Sequence, residues 1–187
     1  MSLHADALHA DALRTLDGWT APDAAQEALR TRFVGHLRAH EDGVARSCFP
    51  DHLTAGVLVV DRTGEHVLLN LHRKARRWFH FGGHLEPGDA TLLAAARREG
   101  LEESGLAELS VDPGPAQLSE HTVAFCDPRG PVQHLDVRYV ARAPLAARPE
   151  TSEESLDVRW FHLSALPELE DEMHALIALA RSGSAAR

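Results

Sequence analysis

Apolar and polar positions follow two different periods along this chain. From Leu53 to Asp61, β-branched and aliphatic residues dominate, and the run reads as a buried strand. Arg62-Thr63-Gly64-Glu65 has the composition of a hairpin turn, and His66 to His72 reads as the returning strand. Gln117 to Cys126 and His134 to Ala143 alternate like strands on either side of the turn Asp127–Pro131. A last strand centres on Val158–Phe161.

Helical spacing governs the remainder. Residues 1 to about 45 predict two helices, broken at Asp17–Pro22, with Thr20 or Pro22 opening the second and His40 near its end. The first carries a short echo, His4-Ala5-Asp6-Ala7-Leu8 and His9-Ala10-Asp11-Ala12-Leu13, too brief for a repeat architecture. His36 and His40, four apart on the second helix, read as a surface pair. Near the other end, Leu169, Met173, Leu176 and Ile177 recur at helical spacing within about Pro167 to Arg181, and Gly183 to Arg187 should fray.

Between the two pairs of strands lies a glycine loop, Gly82-Gly83-His84-Leu85-Glu86-Pro87-Gly88-Asp89-Ala90, followed by a short helical run. Thr91 is placed to cap that helix and Gly105 to end it in a left-handed conformation. Glu99, Glu102 and Glu103 stand at i, i+3 and i+4, so at ~100° per residue they share one face. Leu92, Ala95 and Ala96 continue the face backwards, which puts the carboxylates at the edge of a core. Like charges crowded there repel and lose hydration. A hard divalent cation relieves both costs, and Mg²⁺ is held by one or two carboxylates plus substrate phosphates. Arg98, one turn before Glu102, is placed to steady that carboxylate. A solvated acidic face is the plain alternative for such a triplet on its own.

With the glycine loop at its fixed distance, the stretch resembles the signature of the Nudix hydrolases, G-x5-E-x7-R-E-U-x-E-E-x-G-U, where U is a bulky aliphatic. Arg98-Glu99, Glu102-Glu103, Gly105 and Leu106 match it residue by residue. Gly83 matches if one extra residue is allowed, because Asp89-Ala90 fills the place of a single glutamate, and Gly100 stands where an aliphatic is usual. The resemblance implies an α/β/α sandwich around a mixed β-sheet, with residues 1–45 as a helical extension packed on a domain of residues 46–187. It implies a Mg²⁺-dependent hydrolase, with Mn²⁺ as the alternative ion, that cleaves a nucleoside diphosphate linked to another moiety. By the same resemblance the Gly83 carbonyl, Glu99, Glu102 and Glu103 are metal ligands, with Glu99 either a third ligand or the general base. Arg98 supports the glutamates, and Glu153 or Glu154, just before the last strand, is a further ligand or base.

Composition narrows the partners. The chain has 187 residues and a formal net charge of −9, which argues against a general nucleic-acid or membrane surface. Two cysteines, Cys48 and Cys126, are too few for a disulfide framework, so the expected compartment is the cytoplasm. The only dense basic run, Arg73, Lys74, Arg76 and Arg77, leads into the glycine loop and is the candidate phosphate grip. His80 and His84 flank Gly82-Gly83 and either meet substrate, carry protons or serve the loop's structure. Two other functions compete on the same scaffold. An isopentenyl-diphosphate-isomerase-like enzyme needs a catalytic cysteine opposite a glutamate, and neither cysteine is well placed in the sequence. A nucleotide-sensing module without turnover usually has eroded glutamates, and all three are present here. Self-association through the N-terminal helices is left open.

Overall fold

The computed structural model describes residues 3–153 and 155–185. Two helices come first, α1 (Leu3–Gly18) and α2 (Ala24–Ala39). A β-rich body follows, built from β1 (Asp51–Asp61), β2 (His66–His72), β3 (Trp78–Phe79), β4 (Phe81–His84), α3 (Leu92–Ser104), β5 (Ser110–Val111), β6 (Gln117–Asp127), β7 (Gly130–Ala143) and β8 (Ser155–His162). A single 3₁₀ turn over Leu163–Ala165 leads to α4 (Asp171–Ala185).

Several boundaries differ from expectation, among them β7, which begins at Gly130 inside the expected turn. The second helix is opened by neither Thr20 nor Pro22: Asp23 is its cap, and its carboxylate accepts the Gln26 amide at 2.9 Å. An aspartate in extended conformation offers that amide a stronger, charged acceptor. The last helix starts at Asp171 rather than Pro167, and its helical backbone runs to Ala185. Ala186 and Arg187, the end of the segment expected to fray, lie outside the described residues.

The sheet is mixed and its organising strand is β1. Along its full length β1 pairs with β7 in parallel, from Asp51↔Gln133 to Asp61↔Ala143. Its other edge is shared, antiparallel to β4 over Thr54–Val57 and to β2 at Val59–Val60. β6 and β5 extend the sheet beyond β7, while β3 and β8 flank β2. This is the expected α/β/α arrangement around a mixed sheet.

Period-two alternation sorts the two faces. Leu53, Ala55, Val57 and Val59 point to one side with Leu135, Val137, Tyr139 and Ala141, where α1, α2 and α3 close the larger core. Leu8, Ala12 and Leu16 of α1 and Phe33, Val34 and Leu37 of α2 are buried in that same core. On the opposite face β1 changes character midway. Leu58 and Val60 pack beneath Met173, Leu176 and Ile177 of α4. His52, Thr54 and Gly56 face the same way but lie beyond the helix, and there a cleft opens.

Specific polar contacts seat the N-terminal helices. Gln26 clamps β6 with both ends of its amide, donating to the Leu118 carbonyl at 2.9 Å and accepting the Leu118 amide at 2.7 Å. Asp11 accepts the first amide of α3, at Leu92, at 2.9 Å. His36 proves to be buried rather than on the surface, stacked on His40 and pressed against Gly43, where an added Cβ would lie 2.9 Å from its Nε2.

Gly100 is explained by crowding. A Cβ there would stand 2.6 Å from Val57 Cγ1 and 2.8 Å from Leu109 Cδ1. Those two buried side chains occupy the space that a bulky residue on the helix would take. Gly100→Leu should therefore destabilise the protein, because overpacking costs roughly 1–3 kcal/mol or more while the gain in helix propensity is only about 1 kcal/mol. Thermal unfolding would show a Tm lowered by several degrees. Asp11→Ala should cost about 1 kcal/mol through loss of the acceptor for the Leu92 amide, with the Thr91 cap still in place, read as a lower urea midpoint with unchanged slope.

Candidate active site

The acidic helix is fixed at both ends as its residues predict. Thr91 accepts the Ala94 amide through its hydroxyl at 3.0 Å, and Gly105 closes the helix at φ 67°. Leu92, Ala95 and Ala96 are fully buried against the sheet, and this carries the glutamates to the core's edge.

Arg98 is the centre of the local charge network. Asp89 grips it with both oxygens, each at 3.0 Å, and is itself buried. The same guanidinium donates to Glu99 at 2.9 Å, to Glu102 at 3.1 Å and to the His84 carbonyl at 3.0 Å. Asp89 also accepts the Glu86 amide at 2.8 Å. The longer loop thus returns a carboxylate to the arginine, one methylene shorter and one residue out of register with the signature glutamate. Hydrogen bonds to Asp89, with the negative charge of Glu99, hold the guanidinium protonated more firmly than an ordinary arginine.

The glutamates separate into different environments. Glu103 is buried and accepts the Gly82 amide at 3.0 Å. Glu99 lies against Gly83, where a Cβ would be 2.8 Å from its Oε1, so glycine alone permits that approach. Burial raises the Glu99 pKa above the ordinary carboxylate value, against the opposing pull of Arg98. Glu102 is outermost, its side chain 60% exposed and paired to Arg98. Gly82 itself, at φ 158°, brings its Cα so close to β1 that a Cβ would meet Gly56 Cα at 2.6 Å.

Beside this loop a cleft of about 470 Å³ opens on the bare half of the sheet. Gly82, Gly83 and Glu103 form one wall, and Phe79, His80, Lys74 and Arg46 also line it. On its floor Asp136 accepts the Thr54 hydroxyl at 3.0 Å and Arg138 Nε at 2.8 Å, while His80 Nε2 lies 3.3 Å away. Burial opposes ionisation of Asp136, but His80 and Arg138 outweigh it and hold the carboxyl well below its usual range. Arg138 also reaches Glu172 at 3.3 Å, joining the floor to the start of α4.

The basic run disperses. Of its four members Lys74 lines the cleft. Arg73 donates to the backbone carbonyls of Glu153 and Ser155 at 2.8 and 3.0 Å, and Arg77 pairs with Glu170. Arg76 occupies the turn at φ 55°. Glu154 lies outside the described residues, while Glu153 is exposed and meets Arg73 through its carbonyl. Arg46, Asn70, His121, Asp136 and Arg138 were missed as cleft residues. An alternating strand with charges at Asp136 and Arg138 was the available signal, since both occupy the face that β7 shares with Thr54.

A family model described as NUDIX domain matches residues 50–180. Solved structures of similar fold include a NUDIX-family hydrolase from Clostridium perfringens, 21% identical, with TM-score 0.53 over 73% of this chain and 98% of that one. An Ap4A hydrolase binary complex from C. elegans is 20% identical, with TM-score 0.55 over 72% and 98% of the two chains. The NUDIX domain of Shewanella oneidensis NrtR, complexed with ADP ribose, is 19% identical with TM-score 0.50 over 70% and 86%. No curated protein sequence matches the chain significantly. The chain belongs to the Nudix hydrolase family, and its enzyme class is that of the Nudix pyrophosphohydrolases.

If Arg98 and Asp89 act as one unit, their losses should not add. Arg98→Ala and Asp89→Ala should each cost about 2–4 kcal/mol, because each leaves a largely buried charge without its partner. The double variant should fall short of the sum by about 1 kcal/mol or more. Urea unfolding of the four proteins measures the coupling, and strict additivity would separate the pair.

Proposed function

We propose that this cleft hydrolyses a phosphoanhydride bond in a nucleoside diphosphate linked to another moiety. The carrying observation is the seating of Glu99 and Glu103 against Gly82-Gly83, with Glu103 on the cleft wall and Arg98 holding Glu99 and Glu102. The donor set fits a hard divalent ion, Mg²⁺ or Mn²⁺: all its side-chain donors are carboxylate oxygens, and the missing Cβ of Gly83 leaves room beside Glu99. Glu99, Glu102 and Glu103, with the Gly83 carbonyl, would hold it. Such an ion offsets phosphate charge and acidifies a bound water.

This chain's own groups supply the rest. Glu99 is either the third ligand or, when it is left off the ion, the base that takes a proton from an attacking water, a role that suits a carboxylate whose pKa burial raises. Arg98 keeps that carboxylate oriented and partly offsets its charge. Lys74 and Arg46 bring positive charge to the cleft for the phosphates, and the Phe79 ring offers a face for a base or sugar. The buried Asn70 carbonyl oxygen, which has no hydrogen-bond partner, is available to a donor on the substrate. Ap4A, from which one protein of similar fold takes its name, and ADP ribose, bound by another, both contain a nucleoside 5′-phosphate joined through an anhydride.

The isomerase reading gains one observation, since Cys126 lines the same cleft as Glu103. Its thiol, however, is already met by His84 at 3.2 Å and His134 at 3.4 Å, so it is not a free acid facing Glu103. A sensing role without turnover is disfavoured by three intact and braced glutamates. No helix among the described residues is long and apolar enough to cross a membrane. The reading is of a cytoplasmic enzyme with its N-terminal helices, residues 1–45, as an extension on the catalytic domain.

Glu103→Gln tests the assignment. Glutamine keeps a carbonyl to accept the Gly82 amide, so the fold should persist while turnover falls by roughly 10²-fold or more. Product release would be followed for ADP-ribose, dinucleoside polyphosphates and sugar nucleotides, with Mg²⁺ and with EDTA. Isopentenyl diphosphate would be included to detect isomerisation. Undiminished Mg²⁺-dependent turnover by the variant would reject the assignment.

A further inference from the structure

A second group of metal-ligating side chains stands at the rim of the same cleft, and the hydrolytic reading does not use it. His52 of β1, His84 at the end of β4, Cys126 of β6 and His134 of β7 bring one ligand atom each within 4.8 Å of all the others. In the chain they are scattered over 83 positions, from 52 to 134 counted inclusively. Strand pairing gathers them. His52 is the direct partner of His134 in the parallel β1–β7 ladder, and β4 lies on the other edge of β1. An irregularity in β6 between Val123 and Asp127 contains Cys126, and such bulges re-aim side chains.

The internal geometry is close to that of a ligand shell, and tightest around the thiol. The three imidazole rings are mutually 5.0–5.1 Å apart between centroids. Cys126 Sγ lies 3.2 Å from His84 Nε2 and 3.4 Å from His134 Nε2. Around a tetrahedral zinc ion, bond lengths of about 2.0–2.1 Å to nitrogen and 2.3 Å to sulfur place neighbouring ligands about 3.3–3.6 Å apart. His52 is the decisive member. It is fully buried, its Nδ1 lies 3.1 Å from the Cys48 carbonyl, and its Nε2 has no partner. A proton on Nδ1 for that carbonyl leaves Nε2 as a bare lone pair, the arrangement by which outer-shell hydrogen bonds orient metal-bound histidines.

Hydrogen bonding within the cluster does not satisfy it. One thiol carries one proton, and the lone pair of the buried His52 Nε2 remains unmatched, which is costly in a site shielded from water. A cation bound by a thiolate and three neutral imidazoles matches all four groups together. We infer that His52, His84, Cys126 and His134 form a binding site for a borderline-soft divalent ion of the zinc class, separate from the glutamate site. Nitrogen and sulfur donors select against Mg²⁺ and favour Zn²⁺ or Co²⁺. With four protein ligands the shell is closed, so the ion ties strands together instead of activating water. It ties β1, β4, β6 and β7 at the rim of the cleft. Because the His84 carbonyl accepts from Arg98 at 3.0 Å, it also fixes the loop that meets the hydrolytic glutamates.

The test uses the full chain, purified without a histidine tag and stripped of metal. Titration with Co²⁺ should give one equivalent of binding, with tetrahedral ligand-field bands in the visible and a thiolate charge-transfer band. Cys126→Ser should abolish the charge-transfer band and weaken Co²⁺ and Zn²⁺ binding by more than the ~10–100-fold that follows loss of an outer-shell partner. Glu103→Gln should leave both bands intact, so failure of the hydrolytic assignment would be seen separately from failure of this one. If Cys126→Ser does not fold, the wild-type thiol decides: Zn²⁺ should protect Cys126 from alkylation, as located by peptide mapping. Absence of a thiolate band, or binding unchanged in Cys126→Ser, or a thiol alkylated equally with and without Zn²⁺, would overturn the inference.

Discussion

A single guanidinium holds the glutamate-bearing half of this protein in register. Arg98 is mostly buried, and a buried cation is tolerated only when acceptors surround it. Here the acceptors come from three places: Asp89 in the loop, Glu99 and Glu102 on the helix, and the His84 carbonyl at the end of β4. Satisfying one charge therefore sets the positions of loop, helix and strand relative to one another. The like-charged glutamates can crowd together because their neighbour carries the opposite sign.

The same economy of polar groups shapes the cleft floor. Asp136 and Arg138 sit on the sheet face where Val140, further along β7, is apolar and covered by α4. Neither charge is left bare: Thr54, Gln117 and Glu172 complete the set around them. A polar floor of this kind resists collapse, since closing the cleft would strand groups that now meet one another or solvent. The open half of the sheet persists for that reason, beside a half that is sealed by hydrocarbon.

Much of this could be read along the chain. The limits of α3 follow from Thr91 and Gly105, the shared face of Glu99, Glu102 and Glu103 from helical geometry, and most strands from alternation. What periodicity reports is which residues share a face; it does not report which element they will face. Hence the parallel pairing of β1 with β7 was hidden, and with it the meeting of His52 with His134. The basic run shows the same limit: only Lys74 of its four members lines the cleft. Its charge density was visible, but Arg73 turns to backbone carbonyls of the β8 approach and Arg77 to Glu170. The insertion at Asp89-Ala90 looked like a defect in the signature and is an alternative route for a carboxylate to reach the same arginine.

One consequence lies in the way β1 divides its outer face. The helix α4 lies over Leu58 and Val60 and stops short of Thr54, so its position determines how much floor a bound molecule can occupy. Lengthening, shifting or exchanging that terminal helix would resize the chamber while the buried contacts of α1 and α3 on the reverse side stay as they are. Tolerance for larger or smaller guests could then drift over evolutionary time while the acid-bearing helix stays as it is.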